Sequence, residues 1–180
     1  MKRDWLVLAF VVLFTVLTRL MPHPLGVTPL WAVAFFSGLV FRGTLLWVGV
    51  LSVLIGDLAL GWVMPNIAGY VVALMMLALG RYRRKVDFGS GASVLGPTVF
   101  YVLSNYLVWR EGLLYPLTAE GLASCYFAGL PFYMNDLIGT VVYGLALFGL
   151  YYWALVKGVV TVDARTTSKE VAEVRTVRYL

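Results

Sequence analysis

The sequence predicts an all-α polytopic membrane protein: a compact bundle of about six transmembrane helices, with a short surface or re-entrant helix before the last span. Three observations carry this. Of the 180 residues, 61% are hydrophobic and 13% charged, whereas soluble domains run near half apolar and about a quarter charged. The mean hydropathy is +0.87. Long uncharged runs recur along the chain, and crossing about 30 Å of hydrocarbon takes roughly 20 apolar residues. Finally, twelve of the fourteen Lys and Arg fall on one side of the resulting topology.

The first span is expected over residues 5–21. Lys2 and Arg3 precede it in the manner of a secretory leader, but Arg19, Met21 and Pro22 stand where a small-x-small cleavage site would be. It is therefore read as a retained helix. Pro22 and Pro24 end it, because proline lacks the amide donor and clashes with the preceding turn. The second span, 29–41, is short for a full crossing and needs tilt or support from its neighbours. Arg42-Gly43 makes an inner turn. The third span covers 44–63, interrupted by Asp57, and Pro65-Asn66 turns the chain into the fourth, 67–80.

The run Arg81-Tyr82-Arg83-Arg84-Lys85 is a basic inner loop. Span five covers 92–109, with Pro97 in its first turns. A polar connection over 110–120 leads to 121–130, which is too short to cross and suits a surface or re-entrant helix with Thr118 as N-cap. The last span covers 131–156. Residues 1–157 thus form the membrane domain, and 158–180 a polar cytoplasmic tail.

With the N-terminus inside, the inner side holds Lys2, Arg3, Arg42, the four cations of 81–85, Lys157 and the four of the tail. Only Arg19 and Arg110 are outside. The positive-inside bias therefore places both termini in the cytoplasm. The formal charge of +5 is read as this topology signal and as lipid headgroup contact, and no nucleic-acid partner is expected. Small residues recur four apart, as in Ala34/Gly38, Ser52/Gly56, Gly69/Ala73 and Thr140/Gly144. Such pairs let helices approach closely, within the bundle or against a partner.

Polar groups concentrate at the outer end. Asp57 lies roughly 22 Å beyond Arg42 at about 1.5 Å per residue, near the depth of Arg19. An ionisable group within a span marks a functional site and a partner. The two form either a structural ion pair or part of an outward-facing pocket. Asn105 and Trp109 share one helical face. Trp109, Tyr115, Tyr126 and Tyr133 make an interfacial aromatic belt or the wall of a pocket. Thr28, Asn135 and the sole histidine, His23, belong to the same rim. His23 and the single cysteine, Cys125, are too few for a metal centre. No metal, cofactor or disulfide is expected. The chain contains no GxSxG, Walker or HExxH motif, which argues against an enzyme.

The set Arg19-Leu20, Pro22-His23-Pro24, Thr28-Pro29, Asp57 with Gly61, Asn105 with Trp109, Tyr115-Pro116, Cys125-Tyr126, Pro131-Phe132 and Asn135 with Gly139 resembles DUF6580, an uncharacterised family of small bacterial membrane proteins. Members often carry Ser-Asp where this chain has Gly56-Asp57, and Gly-Asp where it has Gly139-Thr140. The layout is also similar to the S-components of energy-coupling-factor (ECF) transporters, although span one lacks a clear AxxxA coupling motif. The resemblance implies a multi-pass protein of a prokaryotic inner membrane, with vitamin-like ligands captured from outside. Arg19, His23, Thr28, Asp57, Asn105, Trp109, Tyr126 and Asn135 are the expected ligand-binding residues. An energising transporter module is the expected partner. The alternative is a non-catalytic accessory subunit of a larger membrane complex.

Overall fold

A computed structural model describes residues 4–20, 27–41, 46–59, 67–82 and 91–157. These form six helices and no strand: α1 (Asp4–Leu20), α2 (Leu30–Val40), α3 (Val48–Ala59), α4 (Ile67–Tyr82), α5 (Ala92–Glu111) and α6 (Ala119–Val156). The apolar runs of the sequence therefore fold as the expected all-α chain. His23 and residues 158–180 lie outside the described residues, as does the side chain of Arg19. Of the six, α6 alone is both long and apolar enough to cross a membrane by length and composition.

The architecture is organised around the shortest helix. α2 buries nine of its eleven residues, Leu30 through Gly38, so it presents no outward face. It packs most extensively on α4 and also touches α3, α6, α5 and α1. An element surrounded in this way has no need of amphipathic patterning, and its sequence, LWAVAFFSGLV, shows none. Phe36 meets Phe41, Phe148 and Tyr151 edge to face, with ring centroids 5.2–6.1 Å apart. Such pairs add to the area burial that drives the core.

The α2–α4 crossing depends on two glycines. A Cβ on Gly38 would strike the Leu77 carbonyl, and one on Gly80 would strike the Phe35 carbonyl. Backbone lies directly on backbone here, as the small-residue spacing anticipates for Ala34/Gly38. Two of the buried hydroxyls within the apolar helices are satisfied locally, whereas Ser37 Oγ and Thr140 Oγ1 are buried with no hydrogen-bond partner among the described residues. Thr15 Oγ1 donates to the Val11 carbonyl and Ser52 Oγ to that of Val48, both at 2.7 Å.

One element departs from expectation. The short helix over 121–130 and the last span over 131–156 are a single helix of 38 residues, with Pro131 inside it. A mid-helix proline removes one hydrogen bond, but the flanking segments both favour helix, and extensive packing on α5 holds them in line. Thr118 is the N-cap as expected, its Oγ1 accepting from the Gly121 amide at 3.1 Å. Glu120 in the same turn is held below the usual carboxylate range, first by its own backbone amide and then by Thr118. Thr118→Ala should cost about 1 kcal/mol. Thermal unfolding should register this as a fall of roughly 2–4 °C.

Candidate functional site: an aromatic cavity with a buried carboxylate

Because α2 is short and buried, its first turn ends inside the bundle, facing α5 and α6. A cavity of about 320 Å³ opens there, lined by Thr28, Leu30 and Trp31 from α2 and its lead-in, by Pro97, Phe100, Tyr101, Ser104 and Asn105 from α5, and by Gly129, Phe132, Tyr133 and Asp136 from α6. Its volume falls at the lower end of the range for small-molecule sites, about 300–1,000 Å³.

Three glycines shape the walls. Gly96 lies against the Trp31 side chain, Gly129 against the Asn105 amide, and Gly139 against the backbone of Val27 and Thr28. The last contact seats the lead-in of α2 directly on α6. Pro29 is the N-cap residue of α2 and no side chain caps that end. Its positive end is therefore left at the cavity.

Aromatic rings make much of the wall. Trp31 and Phe100 lie 5.1 Å apart, tilted, and Tyr101 stacks on Tyr133 at 4.8 Å. These rings are fixed at their polar ends. Tyr101 Oη donates to the Tyr126 carbonyl at 2.7 Å, and the Tyr133 and Thr98 hydroxyls bond at 2.9 Å. Asn105 Nδ2 donates to the Tyr101 carbonyl at 2.8 Å, and the Cys125 thiol donates to the Asn105 carbonyl at 3.3 Å.

The chemical centre is Asp136. It is 6% exposed, and its Oδ2 accepts from Trp31 Nε1 at 2.7 Å. This bond joins α2 to α6 across 105 residues of sequence. Among the cavity-lining residues Asp136 carries the one carboxylate, and none is Lys or Arg.

The residues expected from the sequence divide accordingly. Thr28 and Asn105 line the cavity. Asp57 does not: it sits on α3, half-buried, where Tyr70 Oη of α4 donates to its Oδ2 at 2.9 Å. Trp109 and Tyr126 do not line this cavity either. Trp109 Nε1 donates to the Pro116 carbonyl at 3.0 Å, closing the α5–α6 connection. Tyr126 Oη donates to the Val102 carbonyl at 2.8 Å, its ring edge-on to Tyr101. Asn135 is half-buried outside the lining, and its neighbour Asp136 takes the site position.

Sequence reasoning passed over Asp136 and Trp31. A last span that begins at residue 131 would put Asp136 at its mouth. The helix starts at Ala119, so about 25 Å of it precede Asp136 at about 1.5 Å per residue. The available signal was an acidic residue in an otherwise apolar run, which is costly unless partnered. Among the described residues no group of three or more His, Cys, Asp or Glu is placed to hold a metal ion.

Fold and site together define an all-helical protein with an internal, aromatic-walled acidic cavity. The chain belongs to the family of unknown function DUF6580, whose model matches residues 1–162. No curated protein and no solved structure matches it.

Proposed function

We propose that this chain is a multi-pass protein of a prokaryotic inner membrane that captures a small molecule in the α2–α5–α6 cavity from the outer side, in the manner of a transporter S-component. The observation that carries the reading is the cavity itself, walled in part by aromatic rings around one buried carboxylate. A pocket of this kind, mostly apolar with a few convergent polar groups, is the usual form of a ligand site.

The membrane setting is supported by the surface. Large apolar side chains stand exposed on α1, α3, α4, α5 and α6, among them Leu13, Leu58, Ile67, Val102, Ile138 and Leu145. Contiguous apolar faces of this extent fit lipid better than water. The Lys and Arg asymmetry orients both termini to the cytoplasm. In that orientation α2, about 16 Å long at about 1.5 Å per residue, rises only halfway through the bilayer. The cavity then lies near mid-depth, at the start of a half-length helix, a common arrangement in membrane transporters. The likeness to S-components is one of layout and works by analogy.

The test is purification in mild detergent followed by mass spectrometry of the extract. Wild-type protein should carry a small molecule. Ser104→Phe, which fills the cavity from α5, should lose it while unfolding at about the same temperature. Absence of any co-purifying molecule, together with no thermal stabilisation across a metabolite collection, would refute the reading. Recovery with an ATPase module supports uptake. A stoichiometric complex with large membrane subunits instead favours an accessory role.

A further inference from the structure

Resting on the reading of the cavity as a ligand site, we infer that its ligand class is an organic cation: a quaternary ammonium or protonated amine on a small apolar body. The inference comes from what Asp136 has around it. A buried carboxylate is costly unless its charge is matched. Trp31 Nε1 supplies one hydrogen bond to Oδ2, and this is a neutral donor. Among the described residues no lysine or arginine lines the cavity. The remaining polar groups in the wall, from Thr28, Ser104, Asn105 and the tyrosines, are neutral as well.

Besides protonation of the carboxyl group itself, the positive end of α2 is the competing source of compensation. It amounts to about half a charge spread over the first turn, and Pro29 at that end has no amide hydrogen to offer. It assists Asp136 without matching its full charge. A cationic ligand supplies the rest.

The remainder of the wall selects the kind of cation. Hard metal ions need six or more oxygen ligands at short range, and this cavity offers rings in their place. Trp31, Phe100, Tyr101, Phe132 and Tyr133 contribute aromatic surface. Faces of such rings attract ammonium groups while accepting their alkyl substituents, and the attraction grows when water is excluded. A carboxylate within an aromatic enclosure is therefore matched to an alkylated or primary ammonium head. A solvated metal ion and an anion both fit poorly.

The experiment compares choline with 3,3-dimethylbutan-1-ol, its uncharged carbon isostere, by titration calorimetry on the full chain in a neutral detergent. Choline should bind at least about tenfold more tightly, as expected when a buried charge pair is formed. Asp136→Asn should abolish that preference. Phe100→Leu keeps an apolar wall and removes one ring, and it should weaken choline while leaving the alcohol unchanged. It also keeps the proposal testable if Asp136→Asn does not fold. Equal binding of the two compounds overturns the cation assignment and leaves the cavity as a ligand site. Failure of choline and of a butylammonium and tetramethylammonium series also overturns it, and co-purification then decides the cavity reading separately.

Discussion

Replacing Trp31 with alanine should destabilise the protein by about 3–5 kcal/mol, the range for deleting a buried aromatic side chain. Trp31 is 1% exposed, touches Phe100, and holds Asp136 through its indole N–H. The substitution opens a void and removes the one hydrogen bond that reaches the carboxylate among the described residues. Trp31→Phe separates the two effects. It retains much of the ring volume and loses the donor, so it should cost about 1–3 kcal/mol, the desolvation penalty of a polar group left unpaired. The double variant Trp31→Phe with Asp136→Leu removes both partners. It should recover much of that loss, because an apolar pair of similar shape carries no unmatched group. Thermal unfolding of wild type, Trp31→Phe, Asp136→Leu and the double variant gives the coupling directly. A strictly additive result would show that the Trp31–Asp136 bond contributes nothing to stability.

Gly38→Val should be comparably damaging. The first added carbon already meets the Leu77 carbonyl, which belongs to helical backbone and has no rotamer to retreat into. The helices must separate, and the rings of α2 then lose their fit against α6. Overpacking costs about 1–3 kcal/mol where side chains can yield. With backbone on both sides the cost should reach or exceed the upper end, read as a fall of roughly 10 °C in Tm. Gly80→Ala strikes the same crossing through the Phe35 carbonyl. Gly38→Ala and Gly80→Ala should therefore be less than additive, since the first change provides the separation the second requires. Full additivity would show that the two glycines act at independent contacts. Unchanged stability for Gly38→Val would show that α2 and α4 do not meet as closely as described.

The consequences for the cavity follow from the same crossing. α2 is fixed against α4 at one end, near Gly38, and its other end carries Trp31 to the cavity. Loosening the crossing should shift Trp31 relative to Asp136. Loss of ligand affinity in Gly38→Ala, measured at a temperature where the protein remains folded, is the corresponding functional expectation.

The sequence by itself determined the helices. Apolar run lengths and Pro and Gly punctuation located six of them, because helix ends are local: Thr118 caps the segment that starts at Ala119, and Gly112 stops α5 at φ 67°. Composition and the Lys and Arg asymmetry are equally local quantities. What the chain could not reveal is which polar groups converge. Asp57, Trp109 and Tyr126 look like site residues because each stands out from its own neighbours. Yet each has a hydrogen bond with an adjacent helix or connection, at Tyr70, Pro116 and Val102. Asp136 is hidden when the last span is begun at Pro131, where tertiary packing on α5 keeps the helix continuous. Trp31 was hidden because an aromatic residue in an apolar run looks like core or lipid contact. Only the folding of α2 into the centre, permitted by Gly38 and Gly80, sets Trp31 against a carboxylate 105 residues away. Helix formation is decided by neighbours along the chain. A site between helices is decided by backbone approach, which sequence spacing permits without specifying.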